Sequence, residues 1–116
     1  MEVLILQALR DKRRFTTLSH AVPTDMVSQE TAALLTWYNA YFQTYTEHTY
    51  VDSECLRSLI MTRGQSLGKE AVELILRLAA EIDRPEDKGA IEGIVARLYE
   101  LDFSGRAGAL ITKYNQ

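Results

Sequence analysis

The sequence predicts an all-α fold, and three observations carry the prediction. Helix formers dominate, with fifteen Leu and twelve Ala against six Gly and two Pro in 116 residues. Apolar side chains recur at three- and four-residue spacing along most of the chain, the period of a helix with one buried face. No segment alternates polar and apolar long enough to make a strand. Thr49, Tyr50 and Val51 are the only extended candidates, and three residues do not make a sheet.

A chain of this size hides roughly 65% of its extended surface on folding, so it needs neither disulfide nor metal. Hydrophobic residues at 47% and charged residues at 25% are ordinary globular values and exclude wholesale disorder. Cys55 is the single cysteine and has no internal disulfide partner, which fits a reducing compartment. No apolar run reaches the ~18 residues that cross a bilayer, and the N-terminus lacks a signal-peptide layout. The expectation is a soluble cytoplasmic protein without membrane contact. Thirteen Lys and Arg against sixteen Asp and Glu give a net charge of −3. Non-specific nucleic-acid binding gains affinity from clustered cations that release counterions, so this balance argues against it as the main task. The only basic run is Lys12-Arg13-Arg14, read as a solvated turn, with a phosphate or acidic-partner contact as the alternative.

Along the chain, Val3, Leu4, Ile5, Leu6, Ala8 and Leu9 predict a short helix packed on more than one side. Phe15 and Leu18 predict a second short helix before the Val22-Pro23 break. Pro23 to Val27 reads as a turn, and Ser28 stands where an N-cap belongs. The next helix is the most regular: Leu34, Trp37, Tyr38, Tyr41, Phe42 and Tyr45 form one stripe, about 16 Å long by helical rise. That stripe reads as core with Trp37 near its centre. Its aromatic rings carry polar tips, so Trp37, Tyr38 and Tyr41 are also the candidates for a partner surface.

Asp52 is the next N-cap, opening a helix that buries Leu56, Leu59 and Ile60 with Cys55 beside that face. Gly64 to Gly68 interrupts, and a helix from about Lys69 to Ile82 follows. Its stripe is Val72, Ile75, Leu78, Ala79 and Ile82; Leu74 and Leu76 widen it enough to predict a central position. Glu73 stands four residues before Arg77, the spacing of a surface ion pair.

Asp83-Arg84-Pro85-Glu86-Asp87 is the sharpest break in the chain. Two helical patterns follow it: Ile91, Ile94, Val95, Leu98 and Leu101, then Ala107, Leu110, Ile111 and Tyr114. The gap from Asp102 to Ser104 is short enough to force an antiparallel pair, with Ser104 capping its second member. The expected architecture is a small helical bundle over residues 1–84 followed by an antiparallel helical hairpin over 85–116. Each hairpin helix carries one apolar stripe, which makes Ile91, Ile94, Leu98, Leu110 and Tyr114 candidates for packing or self-association. Tyr114 stands two positions from the last residue, a pattern that suits a chain cut from a longer protein.

Chemistry is harder to find. Gly64-Gln65-Ser66-Leu67-Gly68-Lys69-Glu70 departs from a phosphate-binding loop, which needs four residues between its glycines and a Ser or Thr after the lysine. Glu70 would repel phosphate at that position. His20 and His48 belong to no metal-ligand spacing, and no Glu-x-x-His occurs. No nucleophile, base and oxyanion donors assemble, so we expect no catalytic residue, no cofactor and no metal.

Several of these features occur together in a known family. Val3-Leu4-Ile5-Leu6-Gln7-Ala8-Leu9 as opening helix, then Phe15 and Leu18, Val22-Pro23-Thr24-Asp25-Met26-Val27, the helix through Leu34 to Phe42, and Val51-Asp52 with Leu56 form one series. This layout, with its final helix pair, resembles the N-terminal domain of the hexameric replicative helicases of the DnaB type, particularly divergent phage-encoded members. Gly108 to Tyr114 is similar to the stretch leading toward the linker in phage members. The likeness spans nearly all the chain through patterned hydrophobics. The histidine that cellular members often carry at the start of the long helix is absent around Ser28 to Thr31, and Asp83-Arg84-Pro85 replaces their glycine-rich turn.

The resemblance implies a non-catalytic collar domain of a homo-oligomeric ring that pairs subunits and docks a primase or a helicase loader. Direct nucleic-acid binding by this domain would be weak or absent. The full-length protein would be an ATP-dependent DNA helicase, in the host cytoplasm if phage-encoded, with its motor outside these residues. The competing reading is a stand-alone small helical adaptor, such as a phage protein that binds a host enzyme. A third is a helical nucleic-acid module using Lys12 to Arg14.

Overall fold

Six α-helices make up the fold, in a computed structural model that describes the backbone of residues 2–115 except 24 and 26, and side chains through 104. The first, α1 (Glu2–Ala8), is too short to persist alone and is held by burial of Ile5, Leu6, Gln7 and Ala8. Asp11 caps α2 (Lys12–Leu18), its carboxylate accepting the Arg14 N–H at 3.0 Å. The basic run forms the first turn of this helix, with Arg13 exposed to solvent and Lys12 Nζ donating to the Thr46 carbonyl at 2.8 Å.

After a 3-10 turn, Ser19–Ala21, the chain enters α3 (Gln29–Thr44) through the expected cap: Ser28 Oγ accepts the Thr31 N–H at 3.2 Å. Leu34, Tyr38 and Tyr41 have no exposed surface, and Phe42 is buried beside them. Phe15 from α2 packs its ring against Tyr38 and Phe42, with centroids 6.1 and 5.5 Å away. The segment around Tyr50 is extended for one antiparallel bridge only, opposite Asp11. Lys12 N–H donates to the Thr49 carbonyl and Val51 N–H to the Arg10 carbonyl, both at 2.9 Å.

Asp52 caps α4 (Ser53–Arg63), accepting the Cys55 N–H at 3.0 Å. A 3-10 turn, Gln65–Leu67, leads to Gly68, whose φ of +88° lies in the left-handed region that glycine enters without Cβ strain. The next helix, α5 (Lys69–Glu81), packs on α3 and α4 and buries Ile75 and Ala79. Its position is less central than its apolar content predicts, because Leu74 is 46% exposed. Glu73 and Arg77 do not form the ion pair their spacing allows.

The expected hairpin is not formed. Residues 88–115 make one helix, α6 (Lys88–Asn115), of 28 residues, about 42 Å by helical rise. Asp102, Phe103 and Ser104, expected as a turn, lie within it. None of the three removes an amide donor or calls for positive φ, so nothing stops the hydrogen-bond ladder. The boundary near residue 84 does not separate two cores either. Leu98 of α6 belongs to the same buried cluster as Leu6, Leu34 and Ile60, and Ile94, Val95 and Leu101 pack against it.

Candidate functional site

Polar side chains at the end of α1 set where α6 begins. Gln7 Nε2 donates to the Arg84 carbonyl at 3.0 Å and, more weakly, to that of Ile82 at 3.4 Å. Arg10 Nη1 donates to the Ile82 carbonyl at 3.0 Å, placing a cation at the C-terminal end of α5, where free carbonyls and the helix dipole favour positive charge. Its Nε and Nη2 donate to the Val51 carbonyl. The guanidinium also lies 3.4 Å from Asp83 and 4.4 Å from the centroid of the Tyr50 ring. Tyr50 Oη in turn donates to Glu86 at 3.1 Å. Farther along, His20 Nε2 meets Asp102 at 2.6 Å, fastening the Ser19–Ala21 turn to α6. The contacts of Gln7, Arg10 and Tyr50 join the segment at 82–87 to the bundle before α6 starts.

Held in this way, α6 buries one face and leaves another open. Ile91 and Leu98 are buried, whereas Tyr99 is 49% and Phe103 74% exposed. Tyr99 and Phe103 are four residues apart and share a flank of the helix. Leu110 and Tyr114 follow Phe103 by seven and eleven positions along the sequence. The side chains of Leu110 and Tyr114 lie outside the described residues. Sequence periodicity passed over Tyr99 and Phe103 because they stand beside the Ile91–Leu98 stripe and because Phe103 fell in the expected turn. An aromatic pair at i, i+4 offset from the main stripe was the signal that marked them.

The other expected surface residues are core. Tyr38 is fully buried and donates its hydroxyl to the Leu6 carbonyl at 2.9 Å. Tyr41 is fully buried, with its hydroxyl accepting the Asp52 N–H at 3.0 Å and lying 2.5 Å from His48 Nδ1. Their polar tips find partners inside the chain, so they present no partner surface. Trp37 is half-buried against the same cluster. Ile91 and Leu98 are also taken up by the chain's own core, and Ile94 packs partly buried against it, because α6 lies along α1. They are packing residues and not a free self-association face.

Titratable groups behave as structural ones. The Asp52 carboxylate accepts the Cys55 N–H and is held below its ordinary value of 3.8 by that bond. The same carboxylate pushes the Cys55 thiol up through its hydrogen bond, assisted by desolvation, the opposite of what an activated thiolate needs. Burial pushes the Tyr38 and Tyr41 hydroxyls up, and the Asp52 N–H partly offsets the effect at Tyr41. Among the described residues, no group of three His, Cys, Asp or Glu side chains is placed to hold a metal ion. No described helix is long and apolar enough to cross a membrane. What the arrangement offers is surface: an exposed aromatic flank on α6, and a groove between α3 and α5. Comparison with protein families, characterised proteins and solved structures found no match to this chain.

Proposed function

We propose that this chain is a non-catalytic assembly and docking domain of a replicative DNA helicase of the DnaB type, which associates with further copies of itself and receives a primase or a helicase loader. The observation that carries this reading is the exposed pair Tyr99 and Phe103 on α6. An aromatic side chain this open gains about 2 kcal/mol when a partner covers it, and a long helix presents it at fixed geometry. The sequence resemblance from Val3 to Tyr114 supplies the family; the helix supplies a face for pairing. On a continuous α6, Tyr99, Phe103, Leu110 and Tyr114 are spaced four, seven and four residues apart, the register of a helix–helix seam.

Light scattering coupled to size-exclusion chromatography tests the assignment. The unmodified chain should elute as an oligomer of the 13.2 kDa protomer, and Phe103→Glu and Tyr99→Glu should shift it to monomer with the melting temperature kept within a few degrees. Leu98→Glu is the wrong probe, since Leu98 is only 3% exposed and a charge there unfolds the bundle. A monomeric parent, or an unchanged mass in both exposed-site variants, discards the reading.

A further inference from the structure

A second surface lies between α3 and α5 and shares no residue with the α6 flank. Two adjoining depressions, both lined by Glu30 and Leu74, form one groove. Ala33 and Ala71 keep its floor low, and Leu74 and Leu78 supply its apolar centre. Nearly half of the Leu74 side chain is open to solvent at the middle of this groove. Along α5, thirteen residues long, the groove can hold about three turns of a helix, or about 20 Å.

Its rim is acidic. Glu2, Glu30 and Glu81 line it against one cation, Arg77. Arg84 Nη2 donates to Glu81 at 2.9 Å and offsets that charge. Glu70 stands one turn before Leu74 on the same edge of α5 and adds a further carboxylate. The Ser28 N–H holds the Glu2 carboxyl below its ordinary range, so Glu2 is ionised at neutral pH.

From this we infer that the α3–α5 groove docks an amphipathic helix of a partner protein, one whose apolar face is flanked by lysine or arginine. Leucine-sized anchors at i, i+3 or i+4 and i+7 would cover Leu74, Leu78 and the alanine floor, while the flanking cations meet Glu2, Glu30 and Glu70. The acidic rim disfavours a phosphate backbone or an anionic membrane. It also disfavours the α6 flank of a second copy, where the charges beside Tyr99 are Arg97 and Glu100, already paired at 3.2 Å. The inference stands apart from self-association: a monomer would dock the same helix.

The test is a titration of the labelled full chain, followed by amide NMR shifts, with two synthetic helices that share one leucine face. One carries flanking lysines and the other flanking glutamates. The lysine helix should bind at least tenfold more tightly and shift Ala33, Ala71, Leu74 and Leu78. Leu74→Asp should weaken it at least tenfold although that change adds negative charge, and Glu30→Lys should weaken it several-fold. Leu74 is 46% exposed and Glu30 partly exposed, so the variants should keep the parent's amide spectrum elsewhere. If Leu74→Asp fails to fold, Leu74→Ser, which removes the anchor without adding charge, takes its place with the same weakening expected. Binding that Leu74→Asp leaves unchanged or strengthens is mere charge adsorption and overturns the inference. Shifts centred on Tyr99 and Phe103 overturn it as well. So do shifts at the groove amides when the free chain is simply diluted, since a second copy would then be the occupant.

Discussion

Two nitrogens of the Arg10 guanidinium, Nε and Nη2, converge on the Val51 carbonyl oxygen at 3.0 and 2.8 Å. The third, Nη1, reaches the Ile82 carbonyl at 3.0 Å. Arg10 is only 8% exposed, and a buried cation is tolerated when its donors are satisfied and a counter-charge is near. Two carbonyls, the Asp83 carboxylate and the Tyr50 ring meet those needs. One side chain therefore ties the end of α1 both to the segment before α4 and to the start of the connection into α6.

Replacing Arg10 should loosen all three elements together. Arg10→Ala leaves the Val51 and Ile82 carbonyls without these donors, at about 1–3 kcal/mol for each buried acceptor left unpaired. We expect a total loss of about 3 kcal/mol in urea unfolding. Arg10→Lys keeps the charge but not the fork, and should recover less than half of that loss.

Acid should destabilise the fold through its caps. The Asp52 carboxylate has a folded-state pKa below the ordinary 3.8 because it accepts the Cys55 N–H. Glu2 is lowered in the same direction by the Ser28 N–H. The unfolded chain therefore takes up protons first as pH falls, so the contribution is complete above the ordinary carboxylate value and lost as pH drops through the folded one. Asp52→Asn keeps a capping oxygen without the charge and should flatten the fall in melting temperature below about pH 4. Asp52→Ala should cost about 1 kcal/mol at neutral pH, read from chemical denaturation.

Gly93 offers the opposite change. It lies inside α6, and a Cβ built there meets nothing within 4 Å. Gly93→Ala should stabilise the protein by about 0.5–1 kcal/mol, because alanine loses less backbone entropy on entering a helix. Calorimetry should show a melting temperature higher by a few degrees. Gly64 is a different case: a Cβ there would stand 2.4 Å from the Ile60 carbonyl oxygen, so the same substitution should destabilise.

What could be read along the chain was what a few neighbouring residues settle. The helical class, the Ser28 and Asp52 caps and the break at Asp83–Asp87 were legible because each depends on local spacing and on one side chain reaching an amide three residues on. The span of α5 and the buried stripe of α3 followed from periodicity for the same reason. The groove was only half legible: Leu74 was visible as a member of α5, but the face it shares with Ala33 exists only once α3 lies beside α5.

Tertiary structure alone decided which oily faces turned inward. Tyr38 and Tyr41 read as core with a partner surface as the alternative, and it is Leu6, His48 and Asp52, brought in from elsewhere in the chain, that take their hydroxyls and remove the alternative. Gln7 and Arg10 belong to no local pattern, because their acceptors lie 41 to 77 positions away. The helix after Pro85 runs straight through Asp102 because nothing local ends it, and its Leu98 face is occupied because α1 happens to be there. Burial is a property of the pair of surfaces that meet, and the second surface is written far from the first.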